Sequence, residues 1–423
     1  MATVALISFG LLLFVALEQA IAVAMFVRYC RKSVPSSATT PQSEVTYQPE
    51  VLVILPVRGA DKTLGQCIEA LARQDYDNYR VRVVIDSHTD PGKRIIDQVL
   101  VTQPGLPIEV VELREPHPHC SLKCSCVYQA TEQLDDCEVV ALLDSDIVPH
   151  DSWLSELVAP LADEQVGVAT GNRWYLPQRS QWGSLLRYCW NTAAVVTMQM
   201  WGMPWGGTLA IKRRVLEQSD IRERWLRAGC EDVPLVRALK QLGLQIRFVP
   251  SLIMIDRDEI RLGDCFRFLD RQLLWVRLYY PACWWTCNVW QVLVASCLVV
   301  AGATGLAGLF VGQPGLFVGA VAALGFSGGV TLLMVRWVEQ TLLPEEKGPV
   351  ARRPWRTFCA IALTNITMMR VVAVSLLTRV IRWRGIVYRI AGPWRISLLE
   401  YRPYVDEVST APEPDLAGVR SLR

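Results

Sequence analysis

The sequence predicts an α/β domain built on a doubly wound parallel sheet and held at a membrane by apolar helices. Three observations carry this expectation. Between residues 51 and 143, buried apolar strands alternate with helical segments, and parallel strands need crossovers of that kind. The run Val139-Val140-Ala141-Leu142-Leu143 is closed by Asp144-Ser145-Asp146, which puts acids at the carboxyl edge of a sheet, where open α/β sheets bind ligands. Several further segments are continuously apolar over the ~20 residues that cross a bilayer core.

Composition agrees with the membrane part. The chain has 423 residues, of which 51% are hydrophobic, too long and too apolar for one ordinary soluble domain. A net charge of +2 with no dense basic tract argues against a nucleic-acid partner. The 13 cysteines are scattered through expected strands and spans with no small secreted framework around them, which points to a reducing, cytosol-facing catalytic region.

The elements follow in order. Residues 2–27 are almost wholly apolar, interrupted by Glu18-Gln19 and followed by Arg28, Arg31 and Lys32. A signal peptide carries its charges before the apolar run, so 1–30 is read as a transmembrane helix, with the following region cytoplasmic. Segment 31–48 is a Ser/Thr/Pro-rich linker. The catalytic domain is assigned to 49–263, with buried strands at 51–55, 81–85, 107–113 and 139–143 and helices at 63–74, 95–101 and 125–134. Beyond Asp146 come a helix at 153–161, a strand at 166–173 and a long amphipathic or membrane-grazing helix at 183–200. A strand at 209–211 follows Trp205-Gly206-Gly207-Thr208. Glu231-Asp232 is read as opening a helix that runs to Leu242, with a strand at 245–249 after the Gly243 stop.

An interfacial helix is placed at 264–283 and a transmembrane hairpin at 284–337, with spans at 290–311 and 316–335 joined by Gly312-Gln313-Pro314-Gly315. Residues 358–377 are long enough to cross but contain Arg370, and crossing would export Arg379, Arg382, Arg384 and Arg389. The region 338–403 is therefore read as interfacial or re-entrant, and 404–423 as a disordered tail.

In extended backbone Asp144 and Asp146 point to one side, so a divalent cation, Mg²⁺ or Mn²⁺, can meet one or both while holding a substrate's phosphates. Asp86 ends the second strand, Glu231-Asp232 follow later, and Arg271-Gln272-Leu273-Leu274-Trp275 precedes the hairpin. With Pro56-Val57-Arg58-Gly59, His88-Thr89-Asp90-Pro91, Lys123, Gly206-Gly207, Trp383-Arg384-Gly385 and Tyr388-Arg389, this order resembles a membrane-integrated family-2 glycosyltransferase of GT-A fold, most similar to the ceramide glucosyltransferase branch. The resemblance covers most of the chain, from Val51 to Arg389.

That resemblance implies an inverting enzyme that moves a hexose, glucose by analogy, from a UDP-sugar donor to the hydroxyl of a membrane lipid acceptor such as ceramide or a glycerolipid, beside the lipid bilayer. It implies Asp232 as the base that takes the acceptor proton. Asp86, Lys123, Asp144, Glu231, Arg271 and Trp275 become nucleotide-sugar contacts, and Asp146 with Asp144 the metal ligands. One departure stands out: the family's terminal motif has a second Arg before its Trp, and here Leu274 stands there. Arg277 or Arg384 are the other cations within reach in sequence.

Two rival readings remain open, a processive polysaccharide synthase using the same acids and a catalytically silent homologue acting as a membrane scaffold. The cluster His117, His119, Cys120, Cys124 and Cys126 matches no common structural zinc spacing and is read as a loop beside the nucleotide pocket. Asn365-Ile366-Thr367 is a glycosylation sequon by chance. Trp182, Trp190, Trp201 and Trp205 either line an acceptor tunnel or form an interfacial belt.

Overall fold

The computed structural model describes residues 2–33, 47–103, 105–179, 181–402 and 404. Most of the linker expected over 31–48, and the tail after 404, lie outside the described residues.

Helix α1 (Ala2–Ser33) leads to β1 (Val51–Val57), α2 (Leu64–Leu71), β2 (Tyr79–Ile85), α3 (Pro91–Thr102), β3 (Ile108–Glu112), α4 (Leu122–Ala130) and β4 (Val139–Leu143). These are the anticipated strand–helix alternations, and β3, β2, β1 and β4 pair in parallel in that spatial order. Asp90 fixes the start of α3: its carboxylate accepts the Gly92 N–H at 2.8 Å and the Gly59 N–H at 2.9 Å, joining the β1 and β2 loops.

The second half departs from a purely parallel sheet. After α5 (Trp153–Val158) come β5 (Val166–Tyr175), α6 (Trp182–Met200), β6 (Thr208–Lys212), α7 (Arg213–Gln218), α8 (Ile221–Trp225), α9 (Leu235–Leu242) and β7 (Gln245–Asp256). The seven strands lie in the order β3-β2-β1-β4-β6-β5-β7, with β6 antiparallel to both β4 and β5. The reversal brings the start of β6 to the end of β4, so Leu143 pairs with Thr208 and the Asp144 N–H donates to the Gly207 carbonyl at 3.2 Å. Helix α9 begins later than expected because Pro234, which lacks an N–H, sits at its cap. Glu231 and Asp232 therefore stay in the preceding loop, and their reading as first-turn acids falls away.

Alternate strand residues face opposite cores. One core gathers Leu52, Val84, Leu142, Trp225 and Leu274, the other Val53, Leu55, Val83, Leu143 and Trp153. A third apolar core joins the domain to the helices that follow: α10 (Leu262–Tyr279), α11 (Pro281–Phe310), α12 (Pro314–Leu342), α13 (Pro349–Arg352) and α14 (Pro354–Leu377). Among the described residues four helices, α1, α11, α12 and α14, are long and apolar enough to cross a membrane. Within α14, Arg370 is neutralised by Asp270 of α10, whose two carboxylate oxygens accept from one guanidinium nitrogen at 2.6 and 2.7 Å. Asn365 of the sequon accepts from Gln291 of α11 at 3.1 Å.

The region expected to be interfacial over 338–403 ends instead in an antiparallel sheet of β8 (Val380–Trp383), β9 (Ile386–Gly392) and β10 (Arg395–Glu400). Its inward residues Ile381, Ile386, Tyr388, Ile390 and Ile396 join the core around Leu52, and Tyr388 Oη accepts the Leu122 N–H at 3.0 Å. Arg384 and Gly385 both have positive φ, 46° and 76°, as a two-residue hairpin turn between twisted strands requires.

Candidate active site

The end of β4, the start of α4 and the loop before α9 meet at one point. Ser121 caps α4 by accepting the Cys124 N–H at 3.2 Å, which sets Lys123 in the first turn. Its Nζ lies 2.6 Å from Asp144 Oδ1 and 2.6 Å from Glu231 Oε1. Burial opposes the ammonium charge, but the two carboxylates outweigh it and hold the Lys123 pKa above the usual range. Burial raises the Glu231 carboxyl, up to about 7, against the pull of Lys123.

Trp205-Gly206-Gly207 permits this closeness. A Cβ at Gly206 would strike the Glu231 carboxylate, and one at Gly207 would strike the Trp205 ring and come within 2.6 Å of Asp144 Oδ2. The half-buried Asp232 carboxylate accepts the N–H groups of Gly206 at 3.0 Å and Val233 at 2.7 Å. Both bonds fix its rotamer while it faces an open cavity.

Arg173, at the end of β5, was not singled out by sequence reasoning. Its guanidinium grips Asp146 through two nitrogens at 2.6 and 2.9 Å and touches Asp144 Oδ2 at 3.2 Å and Asp256 at 3.5 Å. It also lies 5.1 Å from the Trp205 ring centre. Burial disfavours both charges, yet each stabilises the other: the Arg173 pKa is raised, chiefly by Asp146, and the Asp146 pKa is lowered by Arg173. The available signal was only a basic residue near the end of a buried strand; nothing in the sequence placed it beside Asp146.

Asp144 and Asp146 are hard oxygen donors, and Mg²⁺-type ions are commonly held by one or two carboxylates with phosphates and water completing the shell. Among the described residues no group of three His, Cys, Asp or Glu side chains converges to form a closed cage. This donor set fits an ion shared with a phosphate ligand. The His117–Cys126 cluster does not converge among the described residues either: Cys120 pairs with Ser125 Oγ at 3.2 Å, and Cys124 and Cys126 are core residues.

At the other end of the site Asp86 is buried. Its carboxylate is paired with the Arg58 guanidinium and accepts the Tyr401 hydroxyl at 2.8 Å. Arg58 lies between the rings of Tyr401 and Tyr404, at 5.4 and 5.7 Å, and donates to the main-chain oxygens of Arg384 and Arg402 at 2.9 and 2.6 Å. Arg384 reciprocates to the Arg58 carbonyl and binds Asp61 at 2.7 Å, which accepts the Ser145 hydroxyl at 2.7 Å. Asp61 and the Tyr401 cover were also missed from sequence.

The terminal motif on α10 splits by face. Arg271 lines the cavity near the Phe268 ring, and burial lowers its pKa. Trp275 packs against Gly229, where any Cβ would collide with it. Leu274 is wholly buried in the core of the sheet, so the departure from the family pattern puts an apolar residue where a guanidinium would be desolvated. Arg277 turns away to the Leu376 carbonyl at 3.3 Å; Arg384 is the cation that stands at the site.

A cavity of about 1740 Å³ begins at Asp232, Glu231 and Trp205 and runs between α1, α6, α10, α11, α12 and α14 as far as Val321 and Gly325. Trp190, Trp201 and Trp205 line it. Trp182 lies apart, beneath the Arg356 guanidinium at 5.4 Å.

Comparison with solved structures finds a mannosyltransferase from Pyrobaculum calidifontis in complex with GDP-Man and Mn²⁺, 17% identical with a TM-score of 0.48 over 88% of this chain and 98% of that one. Glucosyl-3-phosphoglycerate synthase from Mycobacterium tuberculosis, in complex with Mn²⁺, UDP and glucosyl-3-phosphoglycerate, is 15% identical with a TM-score of 0.35 over 56% of this chain and 85% of its own. A ceramide glucosyltransferase from Gibberella zeae is 32% identical over 71 residues, a match spanning 16% of this chain and 13% of that protein's length. The profile of glycosyl transferase family 21 matches residues 11–395, from within α1 through the whole seven-stranded sheet and α10–α14 to the start of β10, and the chain belongs to that family.

Proposed function

We propose that this glycosyltransferase moves a hexose from a UDP-sugar to the hydroxyl of a membrane lipid, ceramide or a glycerolipid, with inversion. The observation that carries the reading is the position of Asp232. Its carboxylate stands where the Lys123–Asp144–Glu231 cluster meets a cavity that runs on between apolar helices. A lipid whose chains lie in that cavity presents its hydroxyl to Asp232, and the donor's anomeric carbon lies on the side of Asp144 and Asp146.

The roles follow from the contacts. Asp232, oriented by two main-chain N–H groups, takes the acceptor proton as the new bond forms. Lys123 keeps Asp144 and Glu231 apart from one another as charges and lies beside the leaving group. Arg271, without a hydrogen bond or ion pair among the described residues, is a charged contact for the donor on the cavity side. Asp86, with Arg58 and Tyr401, closes the nucleoside end. A divalent ion on Asp146 and Asp144, Mg²⁺ or Mn²⁺, would neutralise the leaving diphosphate.

The basic residues at the end of α1, Arg28, Arg31 and Lys32, support a catalytic domain on the cytoplasmic side. Arg352 donates to Gln178 and Pro177, both at 2.7 Å, just before α14, and the β8–β9 turn just after it reaches Arg58. Both ends of α14 are thus tied to the same domain, which supports a re-entrant or interfacial course.

The test is incubation of the purified protein with labelled nucleotide sugars, Mg²⁺ or Mn²⁺ and extracted lipids. A discrete glycolipid is the expected product. A size ladder supports the synthase reading, and nucleotide binding without turnover supports the silent scaffold.

A further inference from the structure

The donor reading asks for more positive charge than Arg271, the cation on the cavity side unpaired among the described residues, brings alone. A leaving diphosphate needs cations around it, and position 274, where the family pattern would supply one, is a leucine in the core. Of the nearby bases, Lys123 is engaged by Asp144 and Glu231. Arg384 is engaged by Asp61 and the Arg58 carbonyl, and Arg277 by the Leu376 carbonyl. Arg173 differs. Its acidic partners include Asp144 and Asp146, the same carboxylates a divalent ion would use.

A guanidinium forked on both oxygens of Asp146 and a divalent ion on that carboxylate exclude each other, by contact and by like-charge repulsion at a few ångströms. If the ion enters, Arg173 has to leave. From β5 its side chain also lines the cavity beside Trp205, so the nearest anion for a displaced guanidinium is a diphosphate lying over Asp144 and Asp146. Arginine is suited to that exchange, because one planar fork matches carboxylate and phosphate alike.

We propose that Arg173 occupies the cation position of Asp144 and Asp146 in the donor-free protein and passes to the donor's diphosphate when ion and donor enter together. This rests on the nucleotide-sugar reading above. The arrangement makes the ion bind poorly alone and well with the nucleotide, and it gives the chain the phosphate contact that position 274 does not provide.

Two binding measurements on the full-length protein in detergent test it. Mn²⁺ binding without nucleotide is followed by electron paramagnetic resonance, and UDP binding at saturating Mn²⁺ by calorimetry. Arg173→Gln is expected to tighten Mn²⁺ by tenfold or more and to weaken UDP by tenfold or more. A purely structural arginine would weaken both. Arg173→Lys keeps the charge but loses the fork, and is expected to move both affinities the same way by less, which covers the case of a Gln variant that does not fold. Unchanged or weaker Mn²⁺ binding overturns the occupancy, and unchanged UDP affinity overturns the transfer to phosphate. Wild-type protein that binds no UDP at any Mn²⁺ concentration overturns the donor reading itself, a result separate from either.

Discussion

The Asp232 carboxylate accepts the main-chain N–H of Gly206 at 3.0 Å, so the acid's position is set by a glycine that a side chain cannot replace without striking Glu231. Asp232→Asn keeps the shape and removes the basicity. Transfer is expected to fall by about 10²–10⁴-fold, the usual worth of a general base, while calorimetry finds donor affinity within a factor of two or so. Near-normal transfer would remove Asp232 as the base.

Glu231 titrates higher in the folded protein, about 7, than a free glutamate does. The folded state therefore binds the extra proton between the free value and 7, and ionising the buried carboxyl lowers stability as pH rises through that window. Glu231→Gln is expected to raise the melting temperature at pH 8 by on the order of a few degrees and to change it little at pH 5. An equal shift at both pH values would show that the effect is not ionisation.

Arg384 holds a backbone conformation, φ 46°, that glycine adopts without strain. Arg384→Gly therefore spares the β8–β9 turn and deletes only the side chain's bonds to Asp61 and Arg58. Donor affinity is expected to drop about tenfold, consistent with the loss of charge-assisted bonds, with the melting temperature little changed. Calorimetry and thermal unfolding together check both halves.

Gly325 lines the far part of the cavity, and a Cβ there meets nothing within 4 Å. Gly325→Leu adds a bulky side chain at a lining position whose Cβ has free space and improves local helix propensity. The acceptor KM is expected to rise severalfold with the donor Kd unchanged. If lipid titrations of the variant match wild type, the cavity does not hold the acceptor.

Much of the amino-terminal half was legible because β1 and β4 are buried along nearly their whole length and read as continuous apolar runs, with shorter apolar stretches marking β2 and β3. The acids at the end of β4 were visible for the same reason, as charges closing an apolar run, and Glu231-Asp232 through the resemblance to the family's ordered motifs. Arg173 was not, since its meeting with Asp146 depends on β6 entering antiparallel and on the strand order that results. The start of α9 was misplaced because the acid pair looked like a helix opening, when Pro234 sets it. The β8–β10 sheet was missed because three short strands are stable only when docked, here through Ile386 and Ile396 against the main core.

The pairing of Arg58 with Arg384 and Arg402 joins residues separated by 326 and 344 positions, with all of α10–α14 between them. Strands β1–β7 leave the ribosome first, but the core around Leu52 and the nucleoside end are finished only after the last apolar helix has been placed and the chain has returned. Competence to bind donor then becomes a late event in biogenesis, coupled to membrane insertion, and a protein stalled before β8 would carry the acids of the site without its clasp.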